Sequence, residues 1–334
     1  MYYRFISAVF VAFLTVVYSP AVIKGQSVDS LIYLIDNDLV EDNSHKYQLL
    51  CKVIAKTGDD EIKIGYCDQA IELAGRLDIL PVQPYLEKGE AYLDAGKHVL
   101  ALDCFMKAAD FSKKNNDLVS LGSAYNMIMI TYGKQGNREN EKLYNQKAIE
   151  VFEEAKDSSN LSFMLHNLGY LNYRLGNYDT ALVLFSTTGD LFKELNYTYA
   201  YYYCRGNSGL VYSRLSDYDR AEEYLLQAID TLSVLGDESG VAEFMIEYAN
   251  ILGQKGEIEE AIDYASRAMT VTDDPEYDGN AAHLLARLYK STGRFDSAYH
   301  YQSLFIVAND SIKNIKSVQQ MAELRANFEI AQNE

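Results

Sequence analysis

Residues 168–185 read LGYLNYRLGNYDTALVLF, and residues 208–225 read SGLVYSRLSDYDRAEEYL. The two phrases stand forty residues apart and share one plan. A helix-like run carries a small residue (Gly169, Gly209). A tight turn follows, and then a second run that opens on an alanine (Ala181, Ala221). Working outward, the same plan recurs at seven turns. They are Thr57-Gly58-Asp59, Ala95-Gly96-Lys97, Gln135-Gly136-Asn137, Leu175-Gly176-Asn177, Leu215-Ser216-Asp217, Lys255-Gly256-Glu257 and Thr292-Gly293-Arg294. Their centres are 38, 40, 40, 40, 40 and 37 residues apart. Spacing this even signals stacked structural repeats.

Each residue type has a physical reason. A glycine at the turn ends the first helix because it accepts a left-handed backbone. Five residues on stands Ala101, Ala181, Ala221, Ala261 or Ala298, and seven further stands Ala108, Ala148, Ala228 or Ala268. Seven before the turn stand Gly89, Gly169, Gly209, Ala249 and Ala286. Small residues at these fixed offsets let two helices approach closely. Phe105, Phe185 and Leu225, nine after the turn, are expected to fill the remaining holes, as are Tyr92, Tyr132, Tyr212 and Tyr289 four before it. One hairpin cannot bury its apolar stripe alone, so neighbours must stack to make a continuous core.

These phrases resemble tetratricopeptide repeats over residues 44–312. The resemblance implies an all-α, superhelical solenoid of about seven helical hairpins. Two departures stand out. The period is near 40 where the family's is 34, so longer second helices and longer loops between units are expected. The first unit (residues 44–76) has Lys63 where a small residue is expected, although Ala70 and Leu73 fit. It reads as a capping repeat.

Outside the repeats, residues 1–25 carry Arg4, an apolar run from Phe5 to Tyr18, a break at Ser19-Pro20 and a small exit residue, Gly25. This is the layout of a secretory signal peptide. It places the chain in the periplasm or outside the cell. The uncharged stretch Phe5–Ile23 is also long enough to be an uncleaved anchor. Residues 26–43 read as an N-terminal capping segment, with a helix over Val28–Leu39. Residues 313–334 continue an amphipathic run, Ile312, Ile315, Val318, Met321, Leu324 and Phe328, which reads as a C-terminal helix with coiled-coil character. A dimer through that helix is one consequence. The run from Tyr301 resembles the exit from the tetratricopeptide sensor regions of bacterial membrane signalling proteins. It reads equally as a terminal cap. The first reading implies an output domain beyond Glu334, such as a histidine kinase, nucleotide cyclase or transcriptional regulator. Membrane attachment follows only from such a continuation or from an uncleaved leader. Four scattered cysteines form no disulfide framework. Buried free thiols are expected, with a Cys51–Cys67 pair as the alternative.

Composition narrows function. The 334 residues hold 30 Lys+Arg against 48 Asp+Glu, a net charge of -18, which argues against nucleic acid as a partner. Only 4 prolines favour long helices. There is no phosphate-binding glycine loop, no HExxH, no CxxC and no G-x-S-x-G elbow, so the expectation is a non-catalytic chain without cofactor. Asp274-x-Glu276-x-Asp278-Gly279 starts like a calcium loop, but its twelfth position is Leu285, so no metal site is expected.

Binding remains. In tetratricopeptide proteins the first helices line a concave groove, and the resemblance implies that a protein or peptide ligand lies there. Asn167 and Asn207 match asparagines that hold a peptide backbone in members of the family, and an amide can pair with a backbone both ways. Tyr170, Asn250 and Arg287 share one register position, and Tyr173 and Tyr203 add aromatic surface. Lys134, Arg174 and Arg214 form a basic ladder at forty-residue spacing. It could meet a carboxylate, or it could serve the helix ends electrostatically. The lysine pattern of a carboxylate clamp for chaperone tails is not matched. Two functions stay open: a free-standing interaction scaffold, and the extracytoplasmic sensor region of a membrane signalling protein.

Overall fold

A computed structural model describes residues 27–313. The leader at 1–25 and, apart from Lys313, the C-terminal helix expected over 313–334 lie outside the described residues. The described chain is all-α and has no strand. It forms two compact units, divided between Ser120 and Leu121.

The first unit holds α1 (Val28–Asp36), α2 (Asn43–Ile54), α3 (Asp60–Leu77), α4 (Val82–Asp94) and α5 (His98–Lys114). The Ser27 side chain caps α1 by accepting from the Ser30 amide. Leu31, Leu34 and Ile35 of α1 are buried against Leu49, Leu50, Val53 and Ile54 of α2 and Tyr66, Cys67, Ala70 and Leu73 of α3. A helix does form where one was expected over Val28–Leu39, ending at Asp36, and it packs against this core. The first hairpin departs from the others, as Lys63 suggested. Gly58 is absent from the left-handed positions, and Asp59 takes over by capping α3 at the Ile62 amide, 2.9 Å away. All four cysteines are free, with Cys67, Cys104 and Cys204 buried and Cys51 half-buried.

The second unit begins in the first turn of α6 (Leu118–Lys134). It continues through α7 (Arg138–Glu154), α8 (Ser158–Arg174), α9 (Tyr178–Glu194), α10 (Thr198–Arg214), α11 (Tyr218–Leu235), α12 (Glu238–Lys255), α13 (Ile258–Val271) and α14 (Pro275–Ser291). A last helix, α15, covers 295–313. Successive helices pair as antiparallel hairpins, seven across the described residues, the number expected.

The expected location of the extra residues needs correcting. From α6 to α10 each helix is 17 residues long, and three residues join each to the next, within and between hairpins. The long period thus extends both helices equally, and the joints between units are no longer than those inside them. The reason is visible in the backbone. The turns inside units are left-handed at Gly136, Gly176, Ser216 and Gly256, as expected, but the joints between units use the same device at Lys156, Asn196 and Gly236. In both cases the helix closes on itself. Asn177 N donates to Asn172 O at 2.9 Å, and Tyr197 N donates to Phe192 O at 2.8 Å. A chain that reverses in three residues needs no loop.

The small-residue rule holds at atomic scale. A Cβ on Gly169 would fall 2.8 Å from a ring carbon of Phe185, and one on Gly209 would fall 2.8 Å from Leu225. The large residues nine after each turn thus occupy the space that the glycines leave. Ala181, Ala221, Ala228, Ala249, Ala261 and Ala268 are fully buried, while Ala298 is only half-buried at the end of the described stack.

Candidate functional site

First helices pack on first helices along the second unit, α8 against α10, α10 against α12 and α12 against α14. Their shared face opens into a cavity of about 580 Å³. Tyr170 and Tyr173 come from α8, Leu210 and Arg214 from α10, Glu243, Ile246, Glu247 and Asn250 from α12. Helix α14 adds Glu276, Tyr277, Asn280, His283, Leu284 and Arg287. The volume is within the range of ordinary ligand sites. The wall mixes aromatic rings, two amides and charges of both signs.

Of the nine residues singled out from sequence, Tyr170, Tyr173, Arg214, Asn250 and Arg287 line this cavity. The other four lie off it. Asn207 is 3% exposed, and its Nδ2 stands 2.9 Å from His166 Nε2. Burial holds the His166 imidazole down to about 4, against a hydrogen bond with Asn167 that acts the other way. Those two asparagines therefore serve a neutral, half-buried histidine, a role that a groove pattern does not predict. Tyr203 packs edge-on against Phe244, with ring centres 5.8 Å apart, and its hydroxyl interacts with Tyr199 and Asp237. Arg174 Nη1 donates to Glu141 Oε1 at 3.0 Å.

The basic ladder divides in the same way. Arg174 answers the nearly buried Glu141, while Arg214 Nη1 donates to Glu247 Oε1 at 3.1 Å. The Ser213 hydroxyl also donates to that oxygen. Lys134 is exposed. Two of the three rungs are thus engaged inside the protein. The residues Asp274 to Gly279 form the cap and first turn of α14, with Asp274 Oδ1 accepting from the Glu276 amide at 2.8 Å, and Leu285 is fully buried.

The electrostatics centre on Glu243, which sequence reading passed over. Burial raises its carboxyl to about 7, and Glu247, Glu276 and Asp237 push in the same direction. Tyr170 is raised by burial and by the Glu243 charge. Tyr277 is pushed up to about 12, first by burial and then by Glu243. Both phenols stay neutral at physiological pH. Glu247 occupies the place of Asn167 and Asn207 one period on, and Glu243 that of Tyr203. A change from amide or ring to acid at a repeating place was the available signal.

A family model described as tetratricopeptide repeat matches residues 160–233 and 197–274, the stretch that carries most of the cavity. Residues 160–274 are tetratricopeptide repeats. Solved structures share its fold at low identity. RapI in its apo form is 13% identical with a TM-score of 0.64, over 81% of this chain and 98% of that one. A signal transduction ATPase with a tetratricopeptide repeat sensor, from Pyrococcus horikoshii, is 16% identical with a TM-score of 0.59. That match covers 93% of this chain, which spans only 54% of the ATPase. The Rap conjugation gene regulator of plasmid pLS20, solved in complex with the Phr* peptide, is 16% identical with a TM-score of 0.58, over 84% and 79% of the two chains. No curated protein sequence matches. Among the described residues no helix is long and apolar enough to cross a membrane.

Proposed function

We propose that this protein is a non-catalytic tetratricopeptide-repeat scaffold that holds an extended peptide segment in the cavity of its second unit, outside the cytoplasm. The observation that carries the reading is the convergence of four successive first helices on one cavity. Its two amides, Asn250 and Asn280, can pair with a peptide backbone, and its tyrosines give broad contact. The pLS20 regulator, which takes a peptide on a similar fold, supports the same class of ligand. The apolar leader pattern of residues 5–18 supports the location. Replacing Ile246 by Trp should fill the cavity. Retention of random nonapeptides on the immobilised full chain should then fall while helical circular dichroism is unchanged. Undiminished retention removes the cavity as the binding site.

A second reading makes the chain the sensor region of a membrane signalling protein. The sensor repeats of the Pyrococcus ATPase and the amphipathic run after Ile312 favour it. Sequencing the gene past Glu334 decides between the two. An apolar span followed by an output domain supports the sensor, and a stop codon removes it.

A further inference from the structure

We infer that the peptide bound in this cavity presents a basic side chain, lysine or arginine, to Glu243 between the rings of Tyr170 and Tyr277. The inference rests on the cavity being a peptide groove and names what that groove selects.

Glu243 is half-buried in the cavity wall, and among the described residues no donor hydrogen-bonds its carboxylate. The charged groups that act on it, Glu247, Glu276 and Asp237, are all acids. Arg214, which lines the same cavity, is committed to Glu247 at 3.1 Å. Arg287 lines the same cavity but does not figure among the groups acting on Glu243. A carboxylate in such a place is short of one positive charge. A buried acid without a counter-ion is costly, and an arriving cation removes that cost while forming a charge-assisted hydrogen bond. Tyr170 and Tyr277 flank the cavity and interact electrostatically with Glu243. Kept neutral, they offer electron-rich faces, which attract ammonium and guanidinium groups. Of the two readings of the basic ladder, a carboxylate ligand is not the one this site favours, because Arg214 is already paired with Glu247.

The test uses nonapeptide pools, random except for a fixed central residue: lysine, arginine, norleucine or glutamate. Each is passed over the immobilised full chain at about 150 mM salt, where long-range attraction to the acidic protein is screened, and retention is measured by mass spectrometry. The lysine and arginine pools should be held about tenfold better than the norleucine and glutamate pools, as one charge-assisted contact allows. In the Glu243→Gln protein that preference should collapse to near unity. The substitution keeps the shape of the side chain and removes a strained charge, so folding is preserved and is checked by circular dichroism. A Glu243→Lys protein should turn the preference toward the glutamate pool. If all pools are held equally by the wild-type chain, the basic seat is wrong and the peptide groove stands. If the basic preference persists in Glu243→Gln, it comes from overall charge, and the seat is again wrong. If no pool is held, the groove reading fails, and the seat with it.

Discussion

Phe163, Tyr203 and Glu243 stand forty residues apart, at one place in α8, α10 and α12, and they live in three different surroundings. Phe163 is partly exposed and leans on Phe192, with ring centres 4.8 Å apart. Tyr203 sets its ring against Phe244 and its hydroxyl near Asp237. Glu243 faces a cavity and carries an acid there. Six residues further along the same helices, Gly169, Gly209 and Ala249 remain small throughout. The contrast shows what a repeat fixes and what it leaves free. Close helix approach favours small side chains, so that place stays small from α8 to α12. The place of Phe163, Tyr203 and Glu243 is under no such constraint, and chemistry specific to one part of the stack can settle there.

The largest effect should come from breaking the shared part. Phe185 is 1% exposed, and Phe185→Ala should cost about 3–5 kcal/mol through the void beside Gly169. Urea unfolding followed by circular dichroism measures this, and a loss below about 1 kcal/mol would mean that the helices close the gap themselves. Next comes the variable part. Glu243 has its folded value near 7, above its ordinary 4.5, so it holds a proton in the folded chain that the unfolded chain gives up. That favours the fold at low pH and is lost as pH rises from the ordinary value through 7. Glu243→Gln should therefore stabilise the chain by up to about 3 kcal/mol above pH 7 and by nothing below pH 4.5. Equal melting temperatures at pH 8 would show that the site is wetter than its geometry implies.

The ladder gives a smaller contrast. The Glu141 side chain is 10% exposed beside Arg174, so Arg174→Met strands a charge and should cost about 2 kcal/mol, whereas Arg287→Met at the open cavity wall should change stability by less than about 0.5 kcal/mol. Matching losses would erase the distinction between a rung that holds the fold and one that faces a ligand. Smallest of all, Lys156 sits at φ 55, and Lys156→Gly should gain about 0.5–1 kcal/mol in the same denaturation assay.

The repeats were legible because sterics write them forty residues apart: Gly169 and Gly209, then Ala181 and Ala221, leave no freedom to disguise the pattern. The joints between hairpins were missed, although Asn116, Lys156, Asn196 and Gly236 also recur at forty. Lysine and asparagine are not obliged to be left-handed, so their spacing does not stand out as glycine does. The groove was legible in part. Tyr170, Tyr173 and Asn250 follow from counting along a helix. Asn207 did not, because it is buried and a partner 41 residues back, His166, claims its amide. Glu243 was invisible for the opposite reason. An acidic residue on an acidic protein looks like solvated surface until its neighbours are placed around it.

The equal lengths of helices and joints carry one more consequence. Residues 178–217 make up one full period, beginning after one three-residue turn and ending with the equivalent turn. Cutting them out would fuse Asn177 to Tyr218, and α11 would meet α8 much as α9 does now, since nearest neighbours supply the cohesion in such stacks. Genes for proteins of this kind can grow or shrink by whole modules without inventing a new seam. The number of ligand residues spanned is then a matter of copy number, adjustable independently of what any single module recognises.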